Sequence, residues 1–181
     1  MTTYAVLLRG VNVGGHRRVP AADLRAAADA VGLGDPRTYA TSGNLVVTCD
    51  DAATTDQVAH DLTTALADRL GLEVQVVAVA ADRLARLLAA VPFPDAARDE
   101  PAKVLLHVGP RDVDAAGVAR LADEHTGPER VAVAEGALYV HHVDGVGRSR
   151  LTGDRIDRAA GTWTTGRSWR TVIRLLEMAA P

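Results

Sequence analysis

Arg37-Thr38-Tyr39-Ala40-Thr41-Ser42-Gly43-Asn44-Leu45-Val46-Val47-Thr48-Cys49 reads as a strand from Arg37 to Thr41, a turn at Ser42-Gly43-Asn44, and an apolar strand from Leu45 to Cys49. It is a hairpin, and what flanks it decides the fold. Upstream, Pro20 stands at a first helical position, and Leu24, Ala27, Ala28 and Val31 recur at i, i+3, i+4 and i+7 before Gly32 and Gly34 end the helix. Before that helix, Tyr4 to Leu8 is a short buried strand. Downstream, Asp50 to Thr55 offers polar caps for a helix carrying Val58, Leu62, Ala65, Leu66 and Leu70, which stops at Gly71 before a strand from Val74 to Val79. The order is βαββαβ, the split-βαβ, ferredoxin-like pattern, with both helices on one face of an antiparallel sheet.

The rest of the chain repeats the order less cleanly. Asp82 to Val91 is a helix with Leu84, Leu87, Leu88 and Val91 on one side, and Pro92 to Pro101 reads as a non-helical connector. A strand from Lys103 to Val108 and a helix around Asp112 to Asp123 follow. Two strands, Arg130 to Ala134 and Ala137 to His142, are joined at Glu135-Gly136. A basic segment then leads to a terminal helix with Trp169, Val172, Ile173 and Leu176 at core spacing. The expectation is an α+β chain of two alpha-beta plait subdomains, 1–80 and 81–181, the second with a missing or irregular last strand and a C-terminal helix.

Composition sets the class. A chain of 181 residues with 48% hydrophobic residues has enough apolar surface for a core. No apolar stretch approaches the roughly 20 residues that span a bilayer, and the N-terminus lacks signal-peptide order, so the expected setting is cytoplasmic, with no membrane partner. The single Cys49 cannot close an internal disulfide and agrees with a reducing compartment. The net charge of −3 argues against global steering toward nucleic acid. Of the 20 basic residues only Lys103 is a lysine, so single arginines carry little weight as signals.

The βαββαβ order brings the end of the first strand to the edge where the second strand turns into the third. The loop Gly10 to Val19 and the turn Ser42 to Asn44 should therefore be neighbours. Arg9, Asn12 and the backbone of Gly14-Gly15 could hold an anion, aided by the N-terminus of the helix that opens at Pro20. Ser42, Gly43 and Asn44 would face them from the turn. The plainer reading is that Gly14-Gly15 relieves a tight turn while Arg17 and Arg18 are solvated. The loop is neither a phosphate-binding Walker loop nor a dinucleotide fingerprint, since its glycine spacing is wrong for both. A second basic region, Arg148, Arg150, Arg155, Arg158, Arg167 and Arg170, ends where Thr164, Thr165, Gly166 and Ser168 precede an apolar helix. Gly166 and Arg167 there fall where helix N–H groups are open, a second anion contact with Arg148 and Thr165. The plainer reading is a threonine cap with surface arginines.

Other chemistry is weakly signalled. His141 and His142 are consecutive on a strand and point to opposite faces, and His16, His60, His107 and His125 are isolated, so no metal is assigned. Cys49 packs in an apolar strand, and Ser42 sits in no nucleophile elbow. Asp144 and Asp154 are the nearest carboxylates to the basic region, but no acid–base pair stands out and the catalytic residues are unassigned. No motif marks a cofactor or an oligomeric state.

Leu7-Leu8-Arg9-Gly10-Val11-Asn12-Val13-Gly14-Gly15, Val19-Pro20, Thr38-Tyr39-x-x-Ser42-Gly43-Asn44 and Thr165-Gly166-Arg167-Ser168-Trp169-Arg170-Thr171 together resemble a bacterial family catalogued as domain of unknown function 1697. The resemblance covers essentially the whole chain. It implies a pair of alpha-beta plait subdomains and no established activity, and its C-terminal motif places Trp169 among the ligand-binding candidates. Family members usually carry Thr-x-Arg-Asn-Trp there, and this chain has Ser168 in the asparagine place.

Three function classes follow. The first is binding of a small phosphorylated or carboxylated ligand at the Arg9–Arg18 loop and the Ser42-Gly43-Asn44 edge. The second is a protein-interaction or structural module, since fold does not fix function. The third, single-stranded nucleic-acid binding, is disfavoured because aromatic residues are 3% of the chain and Leu45-Val46-Val47 offers none for base stacking.

Overall fold

A computed structural model of the chain describes residues 1–180. Its contacts divide into two compact units, Met1–Leu84 with the chain from Leu175 onward, and Ala85–Arg174. The division falls between Leu84 and Ala85, and the last residues group with the first unit.

In the first unit, β1 (Thr2–Leu8), β2 (Gly34–Tyr39), β3 (Asn44–Cys49) and β4 (Val76–Ala80) form an antiparallel sheet in the order β2-β3-β1-β4. Two helices, α1 (Ala21–Ala30) and α2 (Thr55–Leu70), complete the plait. Tyr4, Val6, Leu8, Leu45 and Val47 pack with Leu24 and Ala27 of α1 and Val58, Leu62 and Leu66 of α2. The alternate residues Ala5, Leu7, Val46, Val77 and Val79 are buried too, which is why β1 and β3 read as continuous apolar runs rather than as alternating strands. Thr54 caps α2 by accepting from the Gln57 N–H, and Gly71 closes it in the left-handed conformation.

The second unit has the same order. Its strands β5 (Val104–Val108), β6 (Arg130–Ala134), β7 (Ala137–His141) and β8 (Thr165–Ser168) lie as β6-β7-β5-β8, all antiparallel. Helices α5 (Ala115–Glu124) and α6 (Gly153–Ala160) cover one face, where Val118, Leu121, Ile156 and Ala160 pack on Leu138 and Val140. Tyr139 belongs to the other face and donates its hydroxyl to the carbonyl of Leu87 in the helix α3 (Ala81–Ala89).

Several expectations for this half are corrected. The last strand exists as β8, short and without an apolar residue, so no alternation announced it. Gly166 fits there because the His107 ring on β5 lies where its Cβ would be. Gly166 and Arg167 are thus strand residues paired with His107 and Leu106, not open helix N–H groups, and the terminal helix α7 (Trp169–Ala179) starts after them. The connector Pro92 to Pro101 contains a short helix, α4 (Pro94–Asp99), with Pro94 in its first turn, where a missing N–H costs nothing. The basic segment holds α6, whose Ile156 and Ala160 are its only fully buried residues and gave too little periodicity to read.

Candidate functional site

The two glycine-rich loops of the first unit meet as the topology requires. Leu7 lies opposite Asn44, and the Leu8 N–H donates to the Gly43 carbonyl at 2.8 Å. Gly43 has φ +72, and a Cβ there would stand 2.5 Å from Val11 Cγ2 and 2.7 Å from Leu8 Cβ. The turn can therefore sit this close only as glycine. Asn44, 1% exposed, donates to the Tyr39 carbonyl at 3.0 Å and to the Ser42 hydroxyl at 2.9 Å, which braces the turn from inside.

The loop after β1 is a miniature hairpin. His16 N–H donates to the Val13 carbonyl and Asn12 N–H to the Arg17 carbonyl, with Gly14 and Gly15 at the tip at φ +59 and +79. Two consecutive positive φ values are the signature of the tight turn that matches strand twist. Asn12, itself at φ +57, is the staple. Its Nδ2 donates to the carbonyls of Val19 at 3.1 Å and Thr41 at 2.6 Å, and its Oδ1 accepts from the Val19 N–H at 2.9 Å. One side chain joins the loop, the start of α1 and the β2–β3 turn. Arg17 donates to the carbonyl of Glu73.

Between these pieces lies a pocket of about 410 Å3. Gly15, His16 and Arg18 line it from the loop, Val19, Pro20, Ala21 and Leu24 from the start of α1, and Thr38, Ala40, Thr41, Gly43 and Asn44 from the hairpin. Pro20 is the N-cap of α1 and contributes no side-chain hydrogen bond, so the first-turn N–H groups are not capped by a side chain at the pocket wall. The helix dipole and Arg18 give this end a positive character, while Val19, Ala21, Leu24 and Ala40 make the rest apolar. Among the described residues five non-glycines have positive φ, and three of them, Asn12, Arg17 and Ala40, are in these loops. Backbone held in sparsely populated regions concentrates at ligand sites.

The expected residues separate accordingly. Asn12, Gly15, Gly43 and Asn44 line the pocket, but both asparagine side chains are engaged in holding the loops. Gly14 shapes the loop tip, and Ser42 braces Asn44. Arg9 does not line the pocket: its N–H and guanidinium both reach Gln75, beside β4. The pocket also uses Thr38 and Thr41, together with His16, read from sequence as an isolated histidine, and Arg18, whose plainer reading was a solvated arginine; the signal for Arg18 was its place immediately before the helix start at Val19-Pro20.

The other expected residues belong to the second unit. Arg148 is exposed in a 3-10 turn, Val146–Arg148. Thr165, Arg167 and Trp169 are buried. Arg167 donates to the Thr165 hydroxyl at 2.8 Å and to the Gly166 carbonyl at 2.9 Å, and burial pulls its pKa down to about 10, which leaves it protonated at neutral pH. The Trp169 ring packs at 6.2 Å from that of Tyr139. These three side chains build the interior of the second unit. His141 and His142 are likewise buried, and burial lowers the pKa of His142. Among the described residues no helix is long and apolar enough to cross a membrane, and no group of three His, Cys, Asp or Glu is placed to hold a metal ion.

A family model described as "Protein of unknown function (DUF1697)" matches residues 1–139, which include the whole pocket. The structure of conserved bacterial protein SP0830 from Streptococcus pneumoniae is similar over 99% of this chain and 99% of that one, with a TM-score of 0.75 and 19% sequence identity. At that identity the likeness is one of fold. A comparison with curated proteins found no match.

Proposed function

Because the chain belongs to the DUF1697 family, proteins of unknown function, we propose its function from the site itself: it binds a small ligand with a phosphate or carboxylate group, seated in the pocket at the start of α1. The observation that carries this reading is the composition of that pocket, with Arg18 and the α1 N-terminus at one end and Val19, Ala21, Leu24 and Ala40 lining the remainder. The anion would meet the cation and the helix dipole, and an apolar body would replace water along the wall. Thr38 and Thr41 supply hydroxyls for orientation. Burial of the alternate faces of β1 and β3 weighs against a base-stacking sheet and against an open docking face. The setting we assign is a bacterial cytoplasm, in keeping with the free, buried Cys49.

A thermal-shift screen of sugar phosphates, nucleotides, acyl phosphates and small carboxylates on the wild type and on Arg18→Ala tests the proposal. A ligand at about 100 times its Kd adds roughly 2.7 kcal/mol, or about 5–11 °C in a protein of this size. A shift in the wild type that is lost in Arg18→Ala is the expected result. No shift from any member of the screen, or one unchanged by Arg18→Ala, overturns it.

A further inference from the structure

The two plaits each carry a groove between their paired helices, and the two grooves differ in chemistry. In the first unit the groove between α1 and α2, about 500 Å3, is walled by Ala26, Ala27, Ala30 and Ala65. Its arginine, Arg69, is matched by Asp23 at 2.9 Å. In the second unit the groove between α5 and α6, about 250 Å3, is lined by Arg120 from α5 and by Arg155 and Arg158 from α6. Glu124 is the one carboxylate in that lining. The same fold therefore closes the same groove with a single arginine that is paired, and the three here answer no need of helix packing.

Local energetics do not reward them either. Arg155 stands in the first turn of α6, where the helix dipole disfavours a cation, and it lies at i, i+3 from Arg158, a like-charge spacing. Neither has a carboxylate partner among the described residues, and Arg120 reaches only Asp114, at 3.8 Å. The groove floor is close-packed, since a Cβ at Gly117 would run into the Ala159 carbonyl. Leu121 and Ala159 add apolar wall. Glu124 in the lining and Asp114 beside Arg120 leave these three guanidiniums one positive charge in excess over a close-packed floor, and planar guanidinium forks match the oxygens of a phosphate.

We propose that the α5–α6 groove binds a phosphate dianion, held by Arg120, Arg155 and Arg158. The carrier is either inorganic phosphate or a phosphate ester, and both present the same group to the arginines. Titration of the full chain with inorganic phosphate, phosphoserine and a 5′-mononucleotide, followed by backbone amide NMR, tests the site. The amides of Gly117, Leu121 and Ala159 should shift on titration, and added salt should weaken the binding. The double variant Arg155→Ala/Arg158→Ala should weaken it by about tenfold or more. Arg158→Lys, which keeps the charge and loses the fork, should fall between, and Arg18→Ala should leave these shifts intact. Equal affinity for all three probes identifies free phosphate as the ligand; tighter binding of an ester identifies a carried phosphoryl group. No shift of these amides with any probe, or shifts unaffected by the double variant, overturns the proposal.

Discussion

Glu129 Oε2 lies 2.6 Å from His125 Nε2, with both side chains almost wholly buried. The contact depends on Gly127, where a Cβ would stand 2.5 Å from the same histidine nitrogen and crowd the carboxylate. The other oxygen of Glu129 accepts from the Arg150 N–H at 3.1 Å, so one carboxylate ties the α5–β6 loop to the segment before α6. The Ser149 hydroxyl, then His125 and the Arg150 N–H, hold its pKa at about 2 against the opposing effect of burial.

Glu129→Gln should therefore destabilise the second unit by up to about 3 kcal/mol at neutral pH, the value of hydrogen bonds to a charged group. A carboxylate depressed from 4.5 to about 2 stabilises the fold fully above pH 4.5, and that stability is lost as pH falls toward 2. Wild-type urea unfolding should show this loss across the window and the variant should not. Parallel curves for the two proteins would remove Glu129 as the source.

His107 acts in a higher window. Burial first, then the neighbouring His142 and Arg167, lower its pKa to about 4, with Asp157 opposing. The unfolded chain binds the proton near pH 6.5 and the folded one only near 4, so stability falls as pH drops between those values, by roughly 3 kcal/mol in all. His107→Leu removes the titration and loses the contact with the Thr164 hydroxyl at 3.3 Å. Its stability at pH 7 should be lower than wild type and its decline from pH 6.5 to 4 shallower. A decline as steep as wild type would place the acid sensitivity elsewhere.

The first plait was legible because each signal was local: Pro20 opens a helix, Ser42-Gly43-Asn44 folds a hairpin, and Gly71 ends a helix. Convergence of the loops followed from strand order alone. The choice of arginine did not. In the order β2-β3-β1-β4 the hairpin turn lies on the β3 side of β1, and Arg9 continues the chain on the β4 side toward Gln75. Arg18 is carried back to the hairpin side by a turn whose course depends on the Asn12 side chain. In the second plait, Thr165-Gly166-Arg167-Ser168 forms a strand through pairing with β5, a tertiary effect with no period of its own.

Asn12→Ala should loosen the pocket more than the fold. It deletes three hydrogen bonds, to Val19 twice and to Thr41, and places alanine at a φ that asparagine tolerates better. The expected cost is about 1–3 kcal/mol. Amide exchange should accelerate in residues 12–19 and 40–43 while Leu62 and Leu66 of α2 stay protected. Uniform acceleration through the first unit would show that the staple supports the whole plait rather than its edge.

Gly43→Ala combines two separate penalties at the junction of the loops. Alanine at φ +72 costs about 1 kcal/mol or more, and its methyl would meet Val11 Cγ2 and Leu8 Cβ well inside contact distance. Both neighbours are buried, at 2% and 0% exposure, so neither can swing away into solvent. Relief requires the loop to lift from the turn, which breaks the Leu8–Gly43 hydrogen bond. The sum is about 3 kcal/mol, which should lower Tm by about 6–12 °C. Gly14→Ala separates the two penalties, because Gly14 has φ +59 but open space around its Cβ. Its loss should be only the conformational share, about 1 kcal/mol. Equal losses in the two variants would mean that backbone strain alone, and not the packing of Leu8 and Val11 on the turn, fixes glycine at position 43.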